Sequence, residues 1–207
     1  MKETNTQRTY MEECQMDDQT KWNDKHAKRI KSGDIPGANP VLADQIPVTE
    51  DAVAIDLACG LGANALMLAD RGYTVTAFDV SDTAVAFVNA KAEELRRPVR
   101  AKAMDLTSIE GQTAVTATAP VDLAVITYYL DRDLMELVKD LIRPGGYVFI
   151  ETYVSLPGME DTPVREAYKL HPAELVNSFE DWGIMYFDFD ETNGTQTILA
   201  RKKTTHH

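Results

Sequence analysis

The chain contains little cysteine and little histidine. Only 2 of its 207 residues are cysteines and 4 are histidines, and they do not form the paired spacings that bind a metal. Two thiols without a secretory signal favour a reducing compartment. We therefore expect no metal site and a cytoplasmic location.

Long hydrophobic runs are also missing. No apolar segment approaches the roughly 20 residues that a helix needs to cross a bilayer. Residues 1–7, MKETNTQ, lack the apolar region of a signal peptide. We therefore expect neither a membrane span nor a membrane partner.

Positive charge is scarce. The chain has 21 Lys and Arg residues against 33 Asp and Glu residues, a formal net charge of −12. Because nucleic-acid binding draws most of its affinity from Lys and Arg contacts to phosphates, this balance disfavours DNA or RNA as a partner.

The length and the composition fit one domain. At 207 residues, of which 44% are hydrophobic, the chain can form a single domain with a full core.

The most informative segment is 53–64, VAIDLACGLGAN, in which an apolar strand runs into Gly60 and Gly62 and then into a helix. Without a Cβ, these glycines allow a sharp turn and the close approach of a ligand. The helix start offers unpaired N–H groups. Asp79 follows Gly60 by 19 residues, the position of a carboxylate that accepts the ribose hydroxyls of an adenine nucleoside. We expect a valine at position 62 to block this ligand without unfolding the chain.

Asp56 decides between two cofactors that such a loop can bind. The segment 60–65 fits the loose pattern G-x-G-x-x-A of dinucleotide-binding proteins. A pyrophosphate would meet a like charge at Asp56, whereas the sulfonium and α-amino groups of S-adenosylmethionine (SAM) would meet an attractive one. The sequence therefore favours SAM, with an NAD-dependent oxidoreductase as the alternative.

The chain resembles the class I SAM-dependent methyltransferases in four motifs that occur in the same order. These are the first motif at 56–64, the second at Phe78-Asp79, the third-strand motif at 102–106 and the turn RPGGY at 143–147. It is similar in particular to the small tellurite-resistance and thiopurine-type branch. That likeness rests on Trp22, the loop at 37–40, the segment 64–72 and the tail at 174–202.

The resemblance implies which residues bind SAM. Asp56 would meet the methionine amino group, Asp79 the ribose and Asp105 the adenine amino group. The full expected set of cofactor residues is Trp22, Asp56, Ala58, Gly60, Gly62, Asn64, Asp79, Val80, Asp105, Leu106 and Thr127.

Tyr128 and Tyr129 are the candidates for positioning the methyl acceptor. They follow the fourth strand, at the carboxyl edge where open α/β sheets bind ligands. The segment 127–130, TYYL, differs from the Asn-Pro-Pro-Tyr and Asp-Pro-Pro-Tyr signatures of enzymes that methylate DNA amino groups. Its aromatic and apolar character suits a compact pocket for a small molecule.

Other residues allow two interpretations. Asn64 either contacts the cofactor or caps its own helix. Trp22 either closes over the site or anchors the N-terminal helix on the core. Cys59 has no adjacent His or Lys to lower its pKa, so we expect no nucleophile there. His171 precedes Pro172, and we expect a loop residue rather than a general base.

Alternating strand-like and helix-like runs predict a parallel sheet with right-handed crossovers. Asn193-Gly194 predicts a terminal antiparallel hairpin. With the resemblance, this gives an α/β, Rossmann-like three-layer sandwich with a mostly parallel seven-stranded sheet. We expect a helical lid at 1–47 and a SAM-binding core at 48–205. Strands are expected at 53–57, 74–79, 98–103, 121–127, 145–153, 184–189 and 195–201, and helices at 12–32, 41–46, 62–71, 81–96, 131–142 and 171–181.

The expected activity is SAM-dependent methyl transfer to a small molecule, at sulfur or another soft chalcogen, or at nitrogen. A thiolate needs no base, which fits a chain with few histidines. The tellurite-resistance enzymes carry a His-Arg pair in the last hairpin region, whereas the stretch 187–192 is FDFDET here. This acidic stretch disfavours an oxyanion substrate. A non-catalytic SAM-binding protein is a further alternative, because binding motifs alone do not prove turnover.

Overall fold

One seven-stranded sheet organises the molecule. The computed structural model describes residues 17–156 and 164–204, so residues 12–16 of the expected first helix, and Cys14 among them, lie outside the described part of the chain. The strands are β1 (Ala52–Leu57), β2 (Tyr73–Asp79), β3 (Val99–Ala103), β4 (Val121–Thr127), β5 (Ile142–Tyr153), β6 (Gly183–Asp190) and β7 (Thr195–Arg201). They lie side by side in the order β3-β2-β1-β4-β5-β7-β6.

Helices precede the sheet and connect its strands. They are α1 (Asp18–Ser32), α2 (Pro40–Gln45), α3 (Ala63–Asp70), α4 (Asp82–Leu95), α5 (Ile109–Thr116), α6 (Arg132–Leu141) and α7 (Glu174–Ser178). Five of them begin at a side chain that accepts a backbone N–H of the first turn, which stabilises a helix start. These capping residues are Asp17, Asn39, Ser81, Ser108 and Asp131.

The strand order reverses at the centre of the sheet. Strands β1 to β5 are parallel, and β7 is antiparallel to both β5 and β6. From β1, the chain first adds β2 and β3 on one side and then β4 and β5 on the other. Ligands of open α/β sheets bind at the carboxyl ends of the strands that flank such a reversal, here β1 and β4.

Apolar side chains cover both faces of the central strands. Ile126 of β4 lies in a buried cluster with Leu134 of α6. Its neighbour Val125 lies in a second cluster with Leu68 of α3. Alternate residues of β4 therefore face two helical layers, which explains why its sequence is a nearly continuous apolar run.

The structure confirms the predicted three-layer α/β sandwich with its mostly parallel seven-stranded sheet and terminal antiparallel hairpin. Helix α5 is missing from the sequence-based prediction, because its sequence IEGQTAVT is rich in residues with low helix propensity. Strand β5 begins at Ile142, three residues before the predicted start. Helix α7 is shorter than predicted, since Ala173 before it adopts a left-handed conformation with φ +62°.

Candidate functional site

The turn between β1 and α3 has the backbone shape that its glycines predict. Ala58, Gly60 and Gly62 have φ angles of +57°, +52° and +75°. The N–H of Cys59 donates to the carbonyl of Phe78 over 2.9 Å, which ties the turn to β2. Left-handed backbone of this kind favours glycine and is common where a ligand approaches the main chain.

Asp56 is fully buried near the end of β1, and neither of its carboxylate oxygens has a hydrogen-bond partner among the described residues. Burial, and after it the charge of Asp79, raises the pKa of Asp56 to about 8, although the backbone N–H of Ala65, which lies outside hydrogen-bond geometry, opposes the rise. A buried carboxyl group without partners is costly unless a ligand supplies donors. Asp56 therefore fits the α-amino group of SAM.

Asp79 closes the same turn from the end of β2. Its carboxylate is buried and accepts hydrogen bonds from the backbone N–H groups of Gly60 (2.8 Å) and Ser81 (2.9 Å). These two bonds use one acceptor position on each oxygen, and a carboxylate offers about four. The remaining positions suit a pair of ribose hydroxyls.

The other residues predicted to bind the adenosine part of SAM come after the ends of β2 and β3. The N–H of Met104, at the end of β3, donates to the Asp79 carbonyl over 2.8 Å. Asp105 follows and accepts two bonds from Thr107 at 2.9 and 2.7 Å, so it also forms the strand-end turn. Leu106 is buried in the core. The carbonyl of Val80 accepts a 3.3 Å bond from Gln19 of α1.

Asn64 bridges two segments of the site and does not cap its helix. Its Oδ1 accepts from the N–H of Asn39 over 2.8 Å, and its Nδ2 donates to Thr127 Oγ1 over 3.2 Å. Helix α3 begins at Gly62 without a side-chain cap. Of the two interpretations of Asn64, the helix cap is therefore wrong, and contact with the cofactor stays a prediction.

Gly62 packs closely against the protein core. A larger residue there would therefore disturb the fold as well as cofactor binding, contrary to the expectation from the sequence. A Cβ at position 62 would lie 2.6 Å from one methyl carbon of Val88 and 2.9 Å from the other. Val88 is fully buried on α4. A valine at position 62 would combine this overlap with a φ angle of +75°, so we expect it to destabilise the fold.

Helix α1 lies against the cofactor turn. His26 is buried, and a Cβ at Gly60 would lie 3.5 Å from its Cε1. Its Nδ1 has no partner among the described residues. Burial lowers the pKa of His26, although the charge of Asp79 acts in the opposite direction. Trp22 stacks on this imidazole with ring centres 5.6 Å apart, so α1 places both rings near the predicted cofactor position.

Asn23 fixes α1 to the start of α4. Its Oδ1 accepts from Ser81 Oγ over 2.7 Å and from the N–H of Thr83 over 3.1 Å. Ser81 itself caps α4. These bonds fix α1 to Ser81 and Thr83, which follow Asp79 closely in the chain. Helix α1 therefore lies at the edge of the candidate ribose site.

Tyr128 and Tyr129 have different surroundings. Tyr128 has a φ angle of +54°, which is rare for an aromatic residue and strained. Its hydroxyl donates to Glu151 Oε1 over 2.6 Å. Tyr129 is half-buried, and burial, followed by the charges of Asp131 and Asp105, raises its pKa. Tyr128 thus faces β5, whereas Tyr129 lies near the predicted adenine residue.

Two residues of this region are missing from the sequence-based prediction. One is His26, which follows Trp22 by four residues and therefore shares its helix face. The other is Glu151, a charged residue inside the apolar run of β5. A charged residue within a buried strand is rare, so Glu151 could have been singled out from the sequence as a candidate site residue.

Cys59 and His171 do not supply reactive groups. Burial, together with the charges of Asp56 and Asp79, raises the pKa of the Cys59 thiol well above its ordinary value, so the thiol stays protonated. His171 is exposed on the loop before α7. Among residues 17–156 and 164–204, no group of His, Cys, Asp and Glu side chains has a geometry suited to a metal ion. No helix in these ranges is long and apolar enough to cross a membrane.

The strand order, the glycine turn and the carboxyl groups at the ends of β1, β2 and β3 together define a class I SAM-dependent methyltransferase. The family described as "Tellurite resistance protein TehB" matches residues 26–199. The chain belongs to this TehB family. Family membership decides in favour of SAM over the dinucleotide cofactor that the glycine pattern alone allows.

Individual relatives agree with this assignment. A probable S-adenosyl-L-methionine-dependent methyltransferase TehB of Haemophilus influenzae is 24% identical over 211 residues, which cover 92% of this chain and 70% of that protein. The crystal structure of TehB from Haemophilus influenzae matches with a TM-score of 0.69 and 23% identity, over 86% of this chain and 67% of that one. The magnesium protoporphyrin IX methyltransferase of Synechocystis, solved with bound S-adenosylhomocysteine, shares the fold with a TM-score of 0.57, 15% identity and coverage of 89% and 83%.

Proposed function

We propose that this methyltransferase acts on a small molecule and methylates sulfur, another soft chalcogen or nitrogen. The observation that carries the proposal is the aromatic edge after β4. Tyr128 is 55% exposed there, and its ring centre lies 5.5 Å from that of Tyr153. Aromatic walls with few polar groups suit a compact acceptor.

The cofactor half of the proposed site lies at the ends of β1, β2 and β3. Asp56 would bind the amino group, Asp79 the ribose hydroxyls and Asp105 the adenine amino group. Ala58, Gly60 and Gly62 would let the backbone approach the ligand. When bound, SAM supplies a methyl group on a positively charged sulfur that departs as a neutral thioether.

The chain's own residues would align the acceptor and exclude water. A neutral leaving group requires no stabilisation of a developing anion, so alignment is the main task. Tyr128 would position the acceptor, while Trp22 and His26 would cover the cofactor as parts of the lid. Asn64 would connect the cofactor side of the site to the end of β4, because it is hydrogen-bonded to Thr127 there and to Asn39.

The lack of an evident general base favours a soft nucleophile. His26 is buried with a lowered pKa, His171 is exposed, and the Cys59 thiol is protonated. A base is needed only where the attacking atom carries a proton at the working pH. A thiolate or selenolate meets the chain's requirements most simply.

A methyl-donor consumption screen tests this proposal. The full chain is incubated with SAM and with thiols, selenium compounds, amines and phenols, and S-adenosylhomocysteine formation is measured. We expect turnover with at least one small acceptor, and its loss in Tyr128→Ala with SAM binding retained. Tyr147→Phe, at the far end of β5, is the matched control. Methylation of RNA, DNA or protein without any small acceptor would overturn the proposal.

A further inference from the structure

A buried carboxylate lies beside Tyr128, in the part of the site where the methyl acceptor is proposed to bind (the acceptor half). It has no role in the function proposed so far. Glu151 of β5 is 8% exposed. Its Oε1 accepts the 2.6 Å bond from the Tyr128 hydroxyl, and its Oε2 accepts a 2.9 Å bond from Thr197 Oγ1. The backbone carbonyl of Glu151 also accepts from the N–H of Tyr128 over 2.7 Å. Side chain and main chain of Glu151 thus both hold Tyr128.

Glu151 lies one strand away from the cofactor half. It is in register with Thr127 of β4, the residue to which Asn64 is bonded. On its other side, Glu151 is in register with Thr197 of β7, which is in register with Asp188 of β6. Directly paired residues point to the same face of a sheet and neighbouring strands are about 4.8 Å apart. Glu151 is therefore adjacent to Thr127, one of the predicted cofactor residues.

Glu151 has no cationic partner among the described residues. In the described ranges, no ion pair joins Glu151 to a Lys, Arg or His side chain. The groups that interact electrostatically with its phenolic neighbours Tyr128 and Tyr186 are tyrosines and carboxylates, namely Tyr153, Asp44, Asp188 and Asp190. A buried carboxylate without a cationic partner suits a cationic ligand, because the ligand supplies the missing positive charge.

The basic residues of the terminal hairpin lie at its opposite end. Arg201 Nε donates to the carbonyl of Gly145 over 3.0 Å, and Lys202 Nζ donates to the carbonyls of Lys139 and Ile142 over 2.6 and 2.8 Å. These carbonyls precede the central part of β5. The cations are therefore directed away from Glu151, and the acceptor half has the electrostatics of a cation site.

We propose that Glu151, together with the Tyr128 hydroxyl that it orients, determines specificity for an acceptor that carries a positively charged nitrogen. This inference rests on the proposed function and names its substrate class. The ammonium group would lie against the Tyr128–Glu151 pair, and the rings of Tyr128 and Tyr153 would add cation–π attraction. The atom that receives the methyl group would be a separate sulfur, selenium or neutral nitrogen of the same small molecule.

Calorimetry with matched probes tests this inference without turnover. The protein is saturated with S-adenosylhomocysteine and titrated with benzylammonium and phenethylammonium, and with benzyl alcohol and phenethyl alcohol as their neutral counterparts. We expect the ammonium probes to bind at least about tenfold more tightly than the alcohols. Equal binding of the two sets, or no ammonium binding, would overturn the inference.

Variants identify the residues that recognise the charge. Glu151→Gln removes the charge and keeps one acceptor oxygen, while its NH2 group must donate to the second hydroxyl, which can rotate to accept. The ammonium preference should therefore disappear while alcohol binding persists and the melting temperature falls only slightly. Tyr128→Phe should lower the preference less. Glu136→Gln, an exposed residue of α6, is the matched control. An ammonium preference that survives Glu151→Gln would assign Glu151 a purely structural role.

The consumption screen separates this inference from the proposed function. Turnover with aminothiols or diamines but not with their uncharged analogues supports both. Turnover restricted to neutral or anionic small acceptors would refute the role of Glu151 and leave the small-molecule function standing. Absence of any small acceptor would refute the proposed function itself.

Discussion

Asp56 and Asp79 face one another across neighbouring parallel strands. Asp56 is in register with Ala77, so Asp79 lies two residues further along β2. The charge of Asp79 adds to burial in raising the pKa of Asp56 to about 8. The two carboxyl groups therefore differ in role: Asp79 is held by backbone N–H groups, and Asp56 retains a proton at neutral pH.

We predict that SAM binding releases a proton from Asp56. Below pH 8 the free protein holds this proton, and the cationic amino group of SAM favours the ionised form, so affinity should rise with pH up to about 8, where the α-amino group of SAM begins to lose its own proton. Titration calorimetry at pH 7 in phosphate and in Tris should give different apparent enthalpies. Asp56→Asn should remove the buffer dependence and the rise in affinity below pH 8. Buffer-independent enthalpies for the wild-type chain would contradict the prediction.

Asp79→Ala should weaken SAM binding by roughly 2–4 kcal/mol, since charge-assisted hydrogen bonds to the ribose would be lost. The substitution also removes the acceptor for Gly60 and Ser81, so the melting temperature should fall as well. Asp79→Asn keeps one oxygen acceptor and should be milder in both respects. Equilibrium binding and thermal unfolding measure the two effects, with Asp133→Asn as a surface control. Unchanged affinity in Asp79→Ala would refute the ribose assignment.

Gly62→Val should destabilise the fold and not merely impair binding. A β-branched residue at φ +75° is strained, and its Cβ would overlap the methyl groups of Val88. Overpacking of this kind costs about 1–3 kcal/mol before the backbone strain is added. Denaturant unfolding measures the loss. Adding Val88→Ala to Gly62→Ala should restore part of the stability that Gly62→Ala loses, whereas additive losses would show that steric overlap is not the cause.

Asn23→Ala should release α1 from α4 and test the lid. Each lost hydrogen bond is worth about 1 kcal/mol, and both bonds of Asn23 join α1 to the start of α4. SAM affinity and turnover should therefore fall about five- to tenfold with little change in melting temperature. Asp24→Ala, on the exposed side of the same helix, is the control. A large drop in melting temperature with normal SAM binding would identify α1 as core packing.

The sequence predicts the sheet well because its signals are local. Apolar runs for β1, β2 and β4 end within one residue of the predicted positions, and Asn193-Gly194 marks the hairpin. Gly60, Asp56 and Asp79 follow from motif spacing. Helix α5 escapes prediction because Gly111 and its threonines oppose a helix that tertiary packing stabilises.

The remaining parts depend on contacts between distant segments. Nothing near Gly62 in the sequence indicates its contact with Val88. Nothing near Tyr128 indicates that Glu151, 23 residues later, accepts a hydrogen bond from its hydroxyl. The position of His26 over Gly60 likewise depends on how α1 packs on α4. Such pairs follow from the topology of the sheet and not from any local pattern.

The two carboxyl groups at the ends of β1 and β2 also affect how the spent cofactor is exchanged for fresh SAM between turnovers. With SAM bound, Asp79 and the then deprotonated Asp56 would give this pocket a negative potential, and burial would limit its screening by salt. The methyl donor enters with a positive sulfur, whereas the spent thioether has none. We therefore expect the pocket to attract the fresh donor more strongly than the spent product, which would favour product release and reloading with SAM.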